Sequence, residues 1–331
     1  MEVKLLPKNN LLREIEPKVN FMLFSGNSNP QLAAEIAEYL GTQVGKAFIG
    51  RFANGEIQVK IEENVRGQHV FLLQSTCAPV NDHIMELLIM IDALRRASAR
   101  TITAVVPYFG YAKQEKKTSG REPISAKLVA NLITVAGADR VITIDLHAAA
   151  IQGFFDIPLD NLMALPLLSN YFTQKNFKNS NTVVVSPDAG GVARARTFAE
   201  RLGATLAIIF KRRPRPDISE VIEVVGEVKG RRALIIDDMI STGGTLIAAA
   251  EILHDRGAVE IFACGTHPAF AGGAVDLIVN SRIKELVVTN TIPASEKALN
   301  SGKIQVLSIA PLLGEAIQRI NGNQSVSELF N

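Results

Sequence analysis

Short apolar runs of strand length alternate along this chain with amphipathic stretches of helix length. Phe21–Phe24 is the first run, and Ser25 to Pro30 is a turn and cap that open a helix over Pro30–Leu40. Lys46–Phe52 and Glu56–Ile61 predict two strands about Asn54-Gly55, a hairpin dipeptide whose plain reading is a type I′ turn. His69–Gln74 predicts a buried strand, Asn81–Ala97 a helix and Thr101–Val106 a strand. A polar loop over Pro107–Glu122 leads to a helix from Pro123 to about Ala136, and Val141–Asp145 is a strand ending at His147. The second half repeats this grammar. Val183–Ser186, Thr205–Phe210, Val221–Val225, Ala233–Ile236 and Ile261–Thr266 read as strands; Gly190–Leu202, Leu246–Arg256 and Pro311–Ile320 read as helices.

Such alternation predicts an α/β chain with mainly parallel sheets and helices on both faces. Two successive sets predict two similar three-layer α/β/α domains dividing near Asn161–Pro166: residues 1–18 as a leader, 19–162 as the first domain and 163–331 as the second. In open sheets of this kind ligands lie at the carboxyl ends of the strands.

The balance of residues narrows the function. Hydrophobic residues make up 47% of 331, ample for sizeable cores, and the net charge of +2 argues against a general nucleic-acid binder. Cys77 and Cys264, both in apolar strand-like contexts, form neither a ligand spacing nor a disulfide framework, as expected in a reducing compartment. The apolar stretches are strand-sized or broken by charge, so no membrane span is expected and a cytoplasmic location is.

The most informative stretch is the apolar run Ala233–Ile236 followed by Asp237 and Asp238 and then by Ser241, Thr242, Gly243, Gly244 and Thr245. A strand delivering two carboxylates into a helix N-terminus built of Ser, Thr and Gly suits a sugar phosphate. Free N–H groups and the positive helix end take the phosphate, and the acids accept hydrogen bonds from sugar hydroxyls. A simple N-capped turn explains Ser241 and Thr242. It does not explain adjacent acids, which repel unless something cationic or hydroxylic lies between them.

Four further groups carry possible chemistry. His147 and Asp188 each follow a strand and could share a divalent ion between the domains; a satisfied core histidine and an Asx turn are the plain alternatives. Lys211-Arg212-Arg213-Pro214-Arg215-Pro216 concentrates cations on a proline-stiffened turn, suited to a flap over a polyphosphate. Lys113 and Gln114 sit in the long polar loop, which could fold over an anion or simply be solvated. Phe52, Asn54, Gly55 and Glu56 could hold a purine by stacking and hydrogen bonds. No Gly-x-x-x-x-Gly-Lys-Ser/Thr loop, dinucleotide fingerprint, nucleophile elbow or paired-histidine zinc motif is present.

Taken together these pieces resemble one family. Asp237–Thr245 is similar to the phosphoribosyl-diphosphate-binding motif of type I phosphoribosyltransferases. The Lys211–Pro216 flap, Asp145 to Ala148 and Ser186 to Gly191 resemble the ribose-phosphate diphosphokinases, as do Asn81 to Leu88, Arg121 to Ile124, Ile151 to Phe155 and Lys284 to Asn290. The likeness runs from about Phe21 to Phe330. It implies phosphoribosyltransferase-like domains and transfer of a diphosphoryl group from MgATP to the 1-hydroxyl of ribose 5-phosphate, with AMP as the other product. By that likeness Lys211 is the main catalytic cation, and Arg213 assists it or contacts ribose 5-phosphate. Asp237, Asp238 and Ser241 to Thr245 hold ribose 5-phosphate. Phe52, Asn54, Gly55, Glu56, Lys113 and Gln114 bind ATP, and His147 and Asp188 position Mg2+. The likeness also implies a homohexamer regulated by phosphate and ADP, a class that the tail Ser325 to Phe330 resembles.

Several positions depart from the family pattern. Lys113-Gln114-Glu115-Lys116-Lys117 stands where Arg-Gln-Asp-Arg-Lys is common, which keeps charge but loses a planar bidentate fork. Asn54 replaces an acid, Ala189 stands where some members have His, and Ser241 replaces an Asp. Two other readings compete: a non-catalytic homologue assembling with active subunits, and a phosphoribosyltransferase acting on a nucleobase. The intact flap opposes the first, and the matching N-terminal half opposes the second.

Overall fold

The computed structural model describes residues 21–178, 181–212 and 221–330. The predicted leader, residues 1–18, and Arg213 of the predicted flap lie outside the described residues, as does the side chain of Lys211.

In the N-terminal half the elements run β1 (Phe21–Ser25), α1 (Pro30–Tyr39), β2 (Ala47–Arg51), β3 (Ile57–Ile61), β4 (His69–Leu73), α2 (Val80–Arg96), β5 (Thr101–Val106), α3 (Ser125–Ala136), β6 (Arg140–Ile144) and β7 (Leu159–Leu162). They continue as α4 (Leu165–Gln174), β8 (Thr182–Ser186), α5 (Val192–Leu202), β9 (Thr205–Arg212), β10 (Val221–Val225), β11 (Arg232–Met239), α6 (Gly244–Asp255), β12 (Glu260–His267), α7 (Ala274–Val279), β13 (Ile283–Thr289), α8 (Glu296–Leu299), β14 (Ile304–Leu307) and α9 (Ala310–Asn321).

The first sheet has the order β1-β4-β5-β6-β7 and is parallel throughout. The second has the order β10-β9-β8-β11-β12-β13-β14 and is parallel apart from the β9–β10 pair. Both halves follow one plan: a strand, a helix, a hairpin, then four more parallel strands. In the second half the hairpin strand β9 joins the sheet beside β8. In the first, β2 and β3 pair only with each other and the hairpin packs on α2.

The valine-rich runs explain why these segments are central strands. Val183, Val184 and Val185 of β8 and Leu234 and Ile235 of β11 are fully buried, as expected for parallel strands covered on both faces. Asn29 caps α1 by accepting a hydrogen bond from the Leu32 N–H at 3.2 Å, with Pro30 in the first turn.

Three apolar clusters build the interior. One lies between the first sheet and α2 and α3. Another lies between the second sheet and α6, α7 and α8. The largest joins Phe21, Leu23 and Phe71 of the first sheet, Val184, Leu234 and Ile236 of the second, and α1, α4, α5 and α9. The two sheets therefore share a core, and their carboxyl ends hold fixed positions relative to one another.

Two expectations are corrected. The β2–β3 connection is not a type I′ turn. Only Gly55 of its tip has positive φ, at 91°, and the Gly55 N–H donates to the Phe52 carbonyl at 2.8 Å. That is a type I turn closed by a left-handed glycine, which lets Asn54 keep an ordinary backbone. Cys77 lies in the connection between β4 and α2 rather than in a strand; Cys264 is in β12, and both are buried free thiols. No helix among the described residues is long and apolar enough to cross a membrane.

Candidate active site

At the carboxyl ends of β8 and β11, facing the loop after β6, lies a cleft of about 580 Å³. Lys113, Glu115, Lys116 and His147 line it from the first half, and Asp188, Arg194, Asp237, Asp238 and Ser241 to Thr245 from the second. The structure thus brings together the predicted sugar-phosphate loop, both predicted metal positions and two cations of the polar loop.

The loop after β11 is shaped by Gly243, which caps α6 with φ 79°, a conformation that an L side chain adopts only under strain. No side chain caps α6. The N–H groups of its first turn, with the positive end of the helix, are available to an anion in the cleft.

The acid pair is not left to repel. The Asp238 N–H donates to Asp237 Oδ1 at 2.9 Å, and Asp238 Oδ2 lies 2.7 Å from His147 Nδ1 of the other half. Arg194 Nη1 lies 3.4 Å from Asp238 Oδ1 and 4.0 Å from Asp237 Oδ1. The cations demanded by adjacent acids are built into the chain. Arg194 is the site residue that sequence reasoning missed; it sits on α5 between Ala193 and Ala195 and belongs to no motif. Its one available signal was its place in the first turns of the helix that follows Asp188.

These contacts set the charges. Burial, reinforced by the hydrogen bond and charge of Asp238, pushes the Asp237 carboxyl up to about 7. Burial opposes ionisation of Asp238 too, but the His147 hydrogen bond and the Arg194 charge outweigh it and hold Asp238 below the usual carboxylate range. The hydrogen bond to Asp238 raises His147 above its ordinary 6.5. A raised folded value means that this bond stabilises fully below pH 6.5 and is lost as pH rises through the folded value. We expect the His147 ring protons of the ligand-free protein to titrate with a midpoint above 6.5 by NMR, and Asp238→Asn to lower that midpoint. An equal midpoint in both proteins refutes the contact.

Asp188 also serves its own turn: Oδ1 accepts from the Gly191 N–H at 3.0 Å while Ser186 Oγ donates to the Asp188 carbonyl at 2.7 Å. Among the described residues no three His, Cys, Asp or Glu side chains form a metal cage. One carboxylate and one imidazole on a polar cleft still fit an ion such as Mg2+, which keeps waters and takes substrate phosphate oxygens rather than filling a protein cage.

The remaining predicted residues divide. Gln114 lines a neighbouring cavity of about 560 Å³ with Tyr108, Tyr111 and Phe270, which shares Lys113, Met239 and Ser241 with the cleft. Phe52, Asn54, Gly55 and Glu56 are exposed at the hairpin tip and line neither space; an Arg51–Asp82 ion pair at 2.8 Å holds the hairpin to α2. β9 runs parallel to β8 and continues to Lys211, whose backbone lies in the last residues of β9, at the carboxyl end of the sheet where Asp188 follows β8.

Known proteins match this geometry in kind. Residues 21–137 match the N-terminal domain of ribose phosphate pyrophosphokinase, and residues 213–331 match the phosphoribosyl synthetase-associated domain. Together the two matches span well over half of the chain. The chain belongs to the ribose-phosphate pyrophosphokinase family. It is 57% identical over 312 residues to the ribose-phosphate pyrophosphokinase of Corynebacterium ammoniagenes, covering 94% of this chain and 98% of that protein. It is 56% identical over 309 residues to the enzyme of that name from Oceanobacillus iheyensis, covering 93% and 96%. The crystal structure of the phosphoribosylpyrophosphate synthetase from Mycobacterium smegmatis superposes with a TM-score of 0.86 at 44% identity, covering 92% of this chain and 99% of that one. The family's fold is therefore this chain's fold: parallel sheets flanked by helices, repeated twice.

Proposed function

We propose that the chain carries out its family's reaction in the cleft between Lys113 and Thr245. The diphosphoryl group of ATP passes to the 1-hydroxyl of ribose 5-phosphate, giving 5-phosphoribosyl 1-diphosphate and AMP. The observation that carries this reading is the meeting, across one cleft, of an uncapped helix N-terminus behind two acids with Lys113, Lys116 and His147 of the other half. One side suits a sugar phosphate and the other a nucleotide polyphosphate.

Attack at the β-phosphorus needs in-line positioning and neutralised charge more than a covalent nucleophile. Ser241, Thr242, Gly243, Gly244 and Thr245 hold the 5-phosphate by N–H and hydroxyl donors. Asp237 and Asp238 accept from the ribose hydroxyls and fix the direction of the 1-hydroxyl. His147 and Asp188 would hold Mg2+, which would supply positive charge against the phosphate groups. Lys113 and Gln114 face the nucleotide. Lys211, with Arg213, brings positive charge to the moving diphosphoryl group. Phe52, Asn54, Gly55 and Glu56 do not line this chain's cleft, so in this reading they reach ATP from a second copy. Association between copies, as in a homohexamer, is supported by Leu128, Leu132 and Val135, which lie exposed at helical spacing on one face of α3. Regulation by phosphate and ADP rests on the sequence resemblance, and a cytoplasmic location on the cysteine pattern and the strand-sized apolar runs.

Incubation with ATP, Mg2+ and ribose 5-phosphate tests the reading. AMP and 5-phosphoribosyl 1-diphosphate are expected in equal amounts. Release of ADP, or no AMP over a range of phosphate and metal concentrations, overturns it.

A further inference from the structure

Asp145, two residues before His147, does not line the cleft and takes no part in the chemistry above. It is 8% exposed and has φ 40°, a left-handed backbone that is uncommon outside glycine. Such strain persists where the surroundings over-determine a residue, and here they do. The Asp145 N–H donates to the Leu162 carbonyl at 2.9 Å. Asp145 Oδ2 accepts from the Thr266 hydroxyl at 2.6 Å and from the Ala164 N–H at 3.2 Å. The Asp145 carbonyl accepts from His267 Nε2 at 3.2 Å.

Thr266 and His267 end β12, the strand beside β11, and His267 pairs in register with Met239. The two neighbouring strands that hold Asp145 and present Asp238 therefore both grip the Asp145–His147 segment, at positions two residues apart. Leu146 between them is held as well, its N–H donating to Asn161 Oδ1 at 3.0 Å. The hydrogen positions follow from the chemistry. A carbonyl only accepts, so His267 carries its proton on Nε2. Its Nδ1 then accepts from the Thr291 hydroxyl at 3.0 Å, while the Thr289 hydroxyl donates to the Thr266 carbonyl at 2.7 Å. The joint is buried and satisfied.

We propose that Asp145 is a positioning residue for the reaction: clamped by Thr266 and His267 of the opposite half, it fixes the strained backbone that presents His147 to Asp238 and to the cleft. This rests on the role given to His147 above. The joint converts the relative placement of two sheets into the placement of one imidazole. A misplacement of about 1 Å from a change outside the chemistry can cost on the order of 10²-fold in rate.

Thr266→Val keeps the shape and removes the hydroxyl; Thr266→Ser restores it. We expect Thr266→Val to lower kcat for AMP formation by roughly 10- to 100-fold with KM for ribose 5-phosphate unchanged, and to move the His147 ring NMR resonances at fixed pH toward those of Asp238→Asn. Thr266→Ser returns both. Asp145→Asn, an uncharged isostere, gives a second route to the same result should Thr266→Val not fold. In a His147→Ala background, Thr266→Val adds no further loss. Wild-type kcat and His147 ring resonances in folded Thr266→Val, equal damage from Val and Ser, or full additivity with His147→Ala overturns the proposal. Wild-type turnover of His147→Ala itself overturns the role of His147; the His147 ring resonances in Thr266→Val then still report separately whether the joint positions the ring.

Discussion

Lys211→Ala is expected to lower kcat by roughly 10²–10³ while ribose 5-phosphate still binds. The asymmetry is the point of the prediction. In the proposed reading ribose 5-phosphate is held by the loop after β11 and the acids Asp237 and Asp238, and the substitution alters none of these. The lysine is assigned to charge that is largest on the diphosphoryl group in transit, so its loss falls on the transition state rather than on the ground state. Its backbone lies in the last residues of β9, at the carboxyl end of the sheet where Asp188 follows β8. Initial rates of AMP formation give kcat, and calorimetric titration with ribose 5-phosphate gives the affinity. Unchanged turnover removes the flap from the mechanism, and lost affinity with retained kcat reassigns Lys211 to substrate binding.

The largest effect on stability is expected at Phe172→Ala, a loss of about 3–5 kcal/mol. Phe172 is fully buried on α4, with edge-on contacts to Tyr171, Phe177 and Phe198 at centroid distances of 5.4, 5.1 and 6.3 Å. Removing the ring opens a cavity in the cluster that both sheets share. Phe52→Ala removes the same ring from a hairpin tip where it is half exposed; it is expected to change stability by no more than about 0.5 kcal/mol. Urea midpoints of the two variants read the contrast. Equal shifts refute the shared core as the source of stability.

That contrast shows where sequence reasoning stops. Both phenylalanines sit in mixed polar and apolar stretches, and only packing separates them. The alternation of apolar runs was legible because a central parallel strand must be apolar on both faces, and β4, β5 and β6 of the first half and the centre of the second follow it. β7 was not legible. Its four residues, Leu159 to Leu162, carry Asp160 and Asn161, and it is a strand because Arg140 pairs with Asp160 at 2.6 Å and β6 supplies the ladder. α7 and α8 are too short for a helical period to show.

The same division holds in the cleft. The loop Ser241 to Thr245 could be read as a helix N-terminus on a strand end because that pattern is local, complete within a few residues. His147 and Asp188 could be read as strand-end residues that could share an ion between the halves, but not as partners of Asp238 and of the Gly191 N–H. Arg194 could not be read at all, since an arginine on a helix says nothing until the helix is docked.

By itself the sequence determined the alternating α/β order, the Ser/Thr/Gly turn into a helix N-terminus after two acids, and the family resemblance, because each depends on residues close together in the chain. Tertiary structure alone decided that His147 and Arg194 flank the acid pair, that the hairpin of Phe52 stands away from this chain's cleft, and that Asp145 is clamped by Thr266 and His267. Those contacts join residues 44 to 122 positions apart, and their geometry is set by the packing of two sheets on one core, which no local pattern encodes.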